Sequence, residues 1–211
     1  MTATPARRPL DEQVAVVEDA LRRNADFVGI LAGAARLDLP SWYLTSGCVF
    51  QTVWNGLTGR PAAEGVRDYD LFYFDAADTS WAAEDEVIRR APEAFGPLAP
   101  LVEIRNEARV HLWYEEKFGR PCPPFESTEA AIDRFIATTC SVGVRERPDG
   151  SWAIYAPYGL SDMLDMVVRP NPVLAPASVY EAKTARWREQ WPGVTVLPWP
   201  DERPQAPSAG A

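Results

Sequence analysis

The apolar residues of segment 11–35 recur at every third or fourth position, which is the spacing of helices that bury one face. They are Val14, Val17, Leu21, Phe27, Ile30 and Leu31. Asn24 or Asp26 interrupts this pattern with a residue type that favours a turn. The segment therefore predicts two helices that form an N-terminal layer.

Shorter runs of apolar residues predict strands farther along the chain. We expect strands over 42–45, 68–74 and 101–105, and a hairpin that joins 141–145 to 152–155 through a Pro-Asp-Gly turn. Helical spacing and capping residues predict further helices over 49–57, 78–91, 127–137, 160–168 and 178–191. In the last of these, Ser178 and Glu181 form a capping-box pattern, and Trp187 and Trp191 would share a buried face. The elements together predict the α/β (α+β) class.

One domain over residues 10–200 accommodates all of these elements, with a core at about 39–115 and the hairpin and C-terminal helices at about 127–199. Segment 1–9 is rich in Pro, Ala and Arg, and segment 201–211 contains Pro, Ser and Gly. Both compositions predict disorder at the chain ends.

The overall charge excludes one class of partner. A formal net charge of −9 disfavours a protein that holds a long nucleic acid by its phosphates, because that mode needs a basic surface. The three cysteines show no Cys-x-x-Cys spacing, so neither a disulfide framework nor a zinc site is indicated. No apolar run is long enough for a membrane span. We expect a soluble cytoplasmic protein.

Two acidic residues stand at the start of the predicted strand 68–74. Asp68 and Asp70 are two positions apart, so in a strand their carboxylates lie on the same face and repel each other. A hard divalent cation such as Mg²⁺ would relieve that repulsion. Upstream, Ser46 and Gly47 form a turn between a predicted strand and a predicted helix, where backbone N–H groups can approach a phosphate.

These residues resemble the nucleotidyltransferase superfamily typified by DNA polymerase beta, and more closely a bacterial family of nucleotidyltransferase-like proteins whose members are mostly uncharacterised. The resemblance runs from about Leu39 to about Trp199. Its matching segments are 39–43, 52–54, 68–70, 102–114, 123–128, 155–160 and 186–192. It implies a mixed sheet flanked by helices, with a C-terminal β-hairpin and helices that close the cleft.

The resemblance also implies an activity and a site. The reaction would be Mg²⁺-dependent, or Mn²⁺-dependent, transfer of a nucleoside monophosphate from a nucleoside triphosphate to an unknown acceptor, a small molecule or a protein. Asp68 and Asp70 would bind metal, and Glu103 would bind metal and help deprotonate the acceptor. The expected nucleotide-binding residues are Ser46, Gly47, Arg105, Asn106, Arg109, His111, Lys183 and Arg186. Asn106, Arg109 and His111 are close enough in sequence to line one pocket wall.

One departure from the family pattern keeps other functions open. Where the family usually has Arg-Asn before Thr-Val-Trp, this chain has Phe50-Gln51, and Phe cannot replace a guanidinium as a phosphate ligand. A nucleotide-binding or regulatory protein without transfer activity is one alternative. A different reaction on a small molecule, at the wall formed by residues 111–114, is another. Arg105 and Arg109 could equally be ion-pair partners of acids, and His111 a core residue.

Overall fold

A mixed five-stranded sheet is the frame of the computed structural model, which describes residues 4–200. Its strands are β1 (Tyr43–Thr45), β2 (Tyr69–Tyr73), β3 (Val102–Asn106), β4 (Gly143–Glu146) and β5 (Trp152–Tyr155). Their order is β3-β2-β1-β4-β5, with β2 and β3 parallel and the other neighbours antiparallel. A separate parallel pair joins β6 (Val167–Val168) to β7 (Thr195–Val196). The predicted α/β class and mixed sheet are confirmed.

Helices pack around this sheet. They are α1 (Leu10–Arg22), α2 (Ala25–Leu37), α3 (Gly47–Leu57), α4 (Trp81–Arg89), α5 (Ala91–Phe95), α6 (Tyr114–Phe118), α7 (Thr128–Ile132), α8 (Ser161–Leu164) and α9 (Ala177–Gln190). Short 3-10 turns occupy 5–7, 96–101, 107–112 and 138–140. Within residues 4–200, no helix combines the length and the apolar character needed to cross a bilayer.

The two faces of the sheet differ in polarity. Tyr69, Leu71 and Tyr73 are buried on one face, which the N-terminal helices cover. Asn24 caps α2 by accepting a hydrogen bond from the Phe27 N–H, and its amide nitrogen donates to the Tyr69 hydroxyl at 3.1 Å. Asp70 and the alternate residues of β3 lie on the opposite face. Strand β2 therefore presents its acid on the face that the N-terminal helices leave open.

The C-terminal helix is anchored by aromatic rings. Trp187 of α9 packs edge-on against Phe50 of α3, with ring centroids 5.0 Å apart, and Trp191 packs against Trp54 at 5.4 Å. The Trp191 indole N–H also donates to the Asn55 side-chain oxygen at 2.9 Å. Both Trp187 and Trp191 are buried, as predicted. This packing holds α9 beside the helix that follows the Ser46–Gly47 turn.

Several predicted boundaries are wrong because contacts distant in sequence decide them. Residues 4–9 are ordered: Ala6 is buried, and its carbonyl accepts hydrogen bonds from the side chains of Gln13 and Ser161. Residues 1–3 and the predicted tail 201–211 lie outside the described residues. The predicted hairpin is present, and because β4 pairs with β1 it extends the sheet.

Three helices also differ from their predicted ranges. Helix α7 ends at Ile132 instead of reaching residue 137, since residues 136–138 form backbone hydrogen bonds with 169–171. Helix α8 ends at Leu164, and Met166 adopts a positive φ of 54° before β6 begins. Helix α9 begins at Ala177 after Pro176, so the predicted capping box at Ser178 does not form.

Candidate active site

Two of the three predicted acids are direct neighbours at the start of the parallel strand pair. Asp70 on β2 stands directly beside Glu103 on β3 and opposite Thr45 on β1. Asp68 immediately precedes β2 and is exposed, so the strand begins one residue later than the acid pair predicts. Both Asp68 and Glu103 act electrostatically on Asp70. The parallel register thus places Asp70 and Glu103 side by side on neighbouring strands, and Asp68 lies just before the first residue of β2.

Asp70 is held in an environment that disfavours its charged form. Burial and the neighbouring carboxylates of Asp68 and Glu103 raise its pKa from 3.8 to about 7, although Lys183 and Arg105 act in the opposite direction. The negative charges of Asp68 and Glu103 therefore outweigh the positive charges of Lys183 and Arg105 at this carboxyl group. A divalent cation would supply that charge and restore the ionised form.

The residues fit a cation that shares its coordination with a substrate. Within residues 4–200 no group of three or more His, Cys, Asp and Glu side chains is arranged so that it could hold a metal ion by itself, and the Glu103 carboxylate pairs with the Arg105 guanidinium at 2.7 Å. Mg²⁺ is commonly held by one or two carboxylates together with water and substrate phosphates. The partly buried carboxyl of Asp70, with the carboxylate of Asp68 nearby, meets that requirement.

The Ser46–Gly47 turn lies between β1 and α3. Ser46 has φ 60° and ψ −125°, a backbone conformation that L-residues rarely adopt, and α3 starts at Gly47. A Cβ atom at position 47 would lie 3.0 Å from the Gln51 side-chain nitrogen, so glycine keeps this turn open. The first N–H groups of the helix have no intrahelical partner. The turn can therefore present backbone donors to an anion.

A small polar depression adjoins this turn. It has a volume of about 40 Å³ and is lined by Gln51, Gly65, Arg67, Asp68, Arg186 and Gln190. Gln51 therefore touches both the glycine turn and the depression. The Phe50 side chain, by contrast, is 0% exposed within the aromatic cluster. Position 50 contributes to the core, and the cationic side chains at the depression are Arg67 and Arg186.

A larger cavity of about 630 Å³ lies on the β3 side of the acids. Four predicted site residues line it: Glu103, Arg105, Arg109 and Lys183. Aromatic residues form much of the remaining wall, among them Phe72, Trp113, Phe125 and Phe135. The acids thus lie between a small polar depression and a large, mainly apolar cavity.

Comparisons with known proteins identify the family of the chain and a solved structure with a similar fold. The model of a family described as Nucleotidyltransferase matches residues 32–196. The chain belongs to this nucleotidyltransferase family. A solved NMR structure, described as revealing a CCA-adding enzyme head domain, is similar over 93% of this chain and 100% of its own, with a TM-score of 0.72 and 23% identity. At that identity the likeness shows a shared fold. Among curated proteins, no significant match to the chain was found.

Two residues predicted to bind the nucleotide, Asn106 and His111, lie outside the lining of the large cavity. Asn106 is buried and holds the loop after β2, since its amide donates to the Asp75 carbonyl at 2.8 Å and its oxygen accepts from the N–H groups of Asp75 and Ala108. The Nδ1 atom of His111 is buried and has no hydrogen-bond partner among residues 4–200. The single wall expected from residues 106, 109 and 111 is not formed.

Two of the arginines predicted to bind the nucleotide, Arg105 and Arg109, line the cavity, and each is paired with an acid. Arg109 forms an ion pair with Glu84 and donates to the Thr79 carbonyl at 2.8 Å. Arg105 pairs with Glu103. Lys183 and Arg186, three positions apart on α9, reach different surfaces, because Lys183 lines the cavity and Arg186 the depression. Helix α9 therefore contributes one basic side chain to the cavity and one to the depression.

Glu107 is a site residue that the sequence did not single out. It is 4% exposed, lines the cavity, and has no hydrogen-bond or ion-pair partner among residues 4–200. Burial, followed by the charges of Asp70 and Glu84, raises its pKa well above the ordinary value, against the effect of Arg105. The only sequence signal was an acid directly after β3, which is unremarkable in a chain with 30 Asp and Glu residues.

Proposed function

We propose that this protein transfers a nucleoside monophosphate from a nucleoside triphosphate to a hydroxyl or phosphate group of an acceptor, with Mg²⁺ or Mn²⁺ as cofactor. The observation that carries the proposal is the partly buried Asp70, with Asp68 and Glu103 as neighbouring charges, beside the Ser46–Gly47 turn of a nucleotidyltransferase fold. The three cysteines are free and buried, which agrees with the reducing cytoplasm, the location that we propose.

The cation would be held by Asp68 and Asp70, with Glu103 completing the acidic set. When bound, it would offset the charge of the triphosphate and of the departing pyrophosphate. Positively charged side chains of the protein would also offset the negative charge of the triphosphate and of the pyrophosphate. Arg186 at the depression and Lys183 at the cavity place positive charge on either side of the acids. Electrostatic stabilisation by such preplaced groups is the main source of rate in phosphoryl transfer.

The backbone of the Ser46–Gly47 turn would orient the phosphates. Helix α3 begins at Gly47, and the absence of a Cβ there removes one obstacle between a phosphate oxygen and the first N–H groups of the helix. The acceptor oxygen forms a bond to the α-phosphorus, and the bond from that phosphorus to the bridging oxygen breaks. Pyrophosphate leaves, and Glu103 helps to remove the proton of the acceptor hydroxyl on its way to solvent.

The departure at Phe50-Gln51 is compatible with this activity. Phe50 packs against Trp54 and Trp187 and so stabilises the position of α9. The same helix carries Arg186 to the depression beside Asp68. We infer that α9 supplies a phosphate-binding guanidinium that the usual position in α3 does not provide.

A turnover assay tests the proposal. The protein is incubated with each of the four nucleoside triphosphates, Mg²⁺ or Mn²⁺, and a mixture of small molecules and proteins, and pyrophosphate release and mass increases are recorded. We expect release that requires the cation and is abolished in Asp70→Asn. Asp19→Asn, which alters an exposed acid on α1, is the matched control and should retain activity.

Two results would point to other functions. Tight nucleotide binding without pyrophosphate release would favour a regulatory protein that has lost transfer activity. Turnover of a small molecule that needs no cation and survives Asp70→Asn would favour a different reaction on this fold.

A further inference from the structure

We propose that the 630 Å³ cavity beside β3 binds the acceptor, and that the acceptor is a small molecule that joins an aromatic ring to an anionic group. This inference rests on the proposed transfer of a nucleoside monophosphate. The acceptor would then be a small molecule of one chemical class, and not a protein. Four features of the cavity support it: its position, its walls, its charges and the buried Glu107.

The position of the cavity suits the attacking partner. The attacking and leaving oxygens of a phosphoryl transfer lie roughly in line on opposite sides of the phosphorus. Asp68 lines the small depression next to the glycine turn, whereas Glu103 lines the cavity, and Asp70 interacts with both acids. A triphosphate at the turn would therefore leave the cavity side of the acids free for an acceptor.

The walls of the cavity suit an aromatic ring. A volume of about 630 Å³ lies within the range of small-molecule sites. Phe72 and Phe135 meet edge to face with centroids 5.8 Å apart on one wall, and Trp113 contributes to another. Trp81 also lines the cavity, yet it is 68% exposed. A large indole left in solvent at the edge of an aromatic cavity is a surface on which a ligand ring can stack.

The charges of the cavity suit an anion. Arg105 and Arg109 are neutralised by Glu103 and Glu84. Three further cations line the cavity and have no carboxylate partner within 4.0 Å among residues 4–200: Lys117, Arg134 and Lys183. In a chain with a formal net charge of −9, this is a local excess of positive charge. A carboxylate or phosphate on the acceptor would complement it.

Glu107 adds a polar group to the buried end of the cavity. Its carboxyl has no hydrogen-bond partner among the described residues although it is almost fully buried. A protonated carboxyl can donate one hydrogen bond and accept others. We infer that it orients an oxygen of the acceptor, such as a ring hydroxyl or carbonyl.

The first test measures binding with two matched variants. Val179 lines the cavity, so Val179→Trp would put an indole inside it. Val173 is 59% exposed and does not line the cavity, so Val173→Trp would put an indole in solvent. Hydroxybenzoates and hydroxycinnamates are titrated by calorimetry, and each Mg²⁺-nucleoside triphosphate is titrated separately. We expect the aromatic acids to bind the wild-type protein and Val173→Trp equally, and Val179→Trp more weakly by about tenfold or more. The Kd of the nucleotide should be the same in all three proteins.

The outcomes separate this inference from the function on which it rests. If nucleotide binds with Mg²⁺ but no aromatic acid binds, or if Val179→Trp binds the acids normally, the acceptor assignment is wrong and nucleotidyl transfer stands. If Val179→Trp weakens nucleotide binding as well, the cavity holds the nucleobase and the assignment is again wrong. If the wild-type protein binds no nucleotide, the proposed function itself fails.

A second test addresses the anionic group. The double variant Lys117→Gln, Arg134→Gln should bind the aromatic acids more weakly by about tenfold, and their uncharged methyl esters as the wild-type protein does. Equal losses for acids and esters would contradict the charge argument. Arg23→Gln, in an exposed ion pair on α1, is the control for nonspecific effects of removing positive charge.

Discussion

Replacing Asp70 by Asn should stabilise the metal-free protein at alkaline pH, even though it should abolish activity. The pKa of Asp70 is raised from 3.8 to about 7 in the folded protein, mainly by burial and then by Asp68 and Glu103. Above that pKa the folded state must hold a charge that its surroundings disfavour. Asn has nearly the same shape and carries no charge.

The size and pH dependence of the effect follow from linkage. Between pH 4 and pH 7 the unfolded state binds fewer protons at this position than the folded state, so stability falls as pH rises through this window. At about 1.4 kcal/mol per tenfold change in proton affinity, the full penalty at pH 8 is about 4 kcal/mol. That penalty already includes the attraction of Asp70 to Lys183 and Arg105, and we expect a gain of roughly 2 to 4 kcal/mol because the amide of Asn must also give up water at this position. Near pH 4 the wild type and variant should be almost equally stable.

Urea unfolding at pH 4 and pH 8 in the presence of EDTA measures this difference. Asp19→Asn, which removes an exposed ion pair with Arg23, should change the free energy of unfolding by about 0.5 kcal/mol or less at either pH. The reasoning is refuted if Asp70→Asn destabilises the protein at pH 8, or if its effect is the same at both pH values.

Three further changes probe other parts of the account. Phe50→Ala should lower the free energy of unfolding, measured by urea titration, by about 3 to 5 kcal/mol, because the ring is fully buried against Trp54 and Trp187. A loss below about 1 kcal/mol would contradict the role of Phe50 in the core. Arg186→Ala should weaken Mg²⁺-nucleotide binding by about tenfold in calorimetry, whereas Arg188→Ala on the same helix should not; equal effects would remove Arg186 from the site. Glu107→Gln should not lower the unfolding midpoint at pH 7, since burial raises the pKa of Glu107 and disfavours its charged form in the folded protein, and a large drop would contradict this account.

Local signals were sufficient to predict the helices of the N-terminal layer and the hairpin. Asn24 or Asp26 was the predicted break between two helices because both residue types favour a turn, and in the structure Asn24 caps α2. The Pro-Asp-Gly sequence likewise marked the turn between β4 and β5. In these places the residues that decide the structure are neighbours in the chain.

The errors occurred where distant residues decide the conformation. The order of residues 4–9 depends on Gln13 and on Ser161, which is 155 positions from Ala6. The early end of α7 depends on backbone pairing with residues 169–171. Composition and helical spacing contain no information about such partners.

The candidate site shows the same division. The acid pair followed from the two-residue spacing of Asp68 and Asp70, and the placement of Glu103 followed from the family resemblance and agrees with the register of β2 and β3. The burial of Asn106 could not be predicted, because it depends on a partner 31 positions away. Glu107 was missed because its importance arises from burial among other acids, which only the folded structure reveals.

The central claim is that Asp68 and Asp70 form a cation centre that acts together with a nucleotide. Titration of Mn²⁺ by electron paramagnetic resonance, with and without a nonhydrolysable nucleoside triphosphate, tests it most directly, with Asp70→Asn and Asp19→Asn in parallel. We predict that the nucleotide and Mn²⁺ strengthen each other's binding in the wild type and in Asp19→Asn, and that this coupling is lost in Asp70→Asn. Coupling of equal strength in all three proteins would show that the metal does not bind at these acids, and would contradict the account.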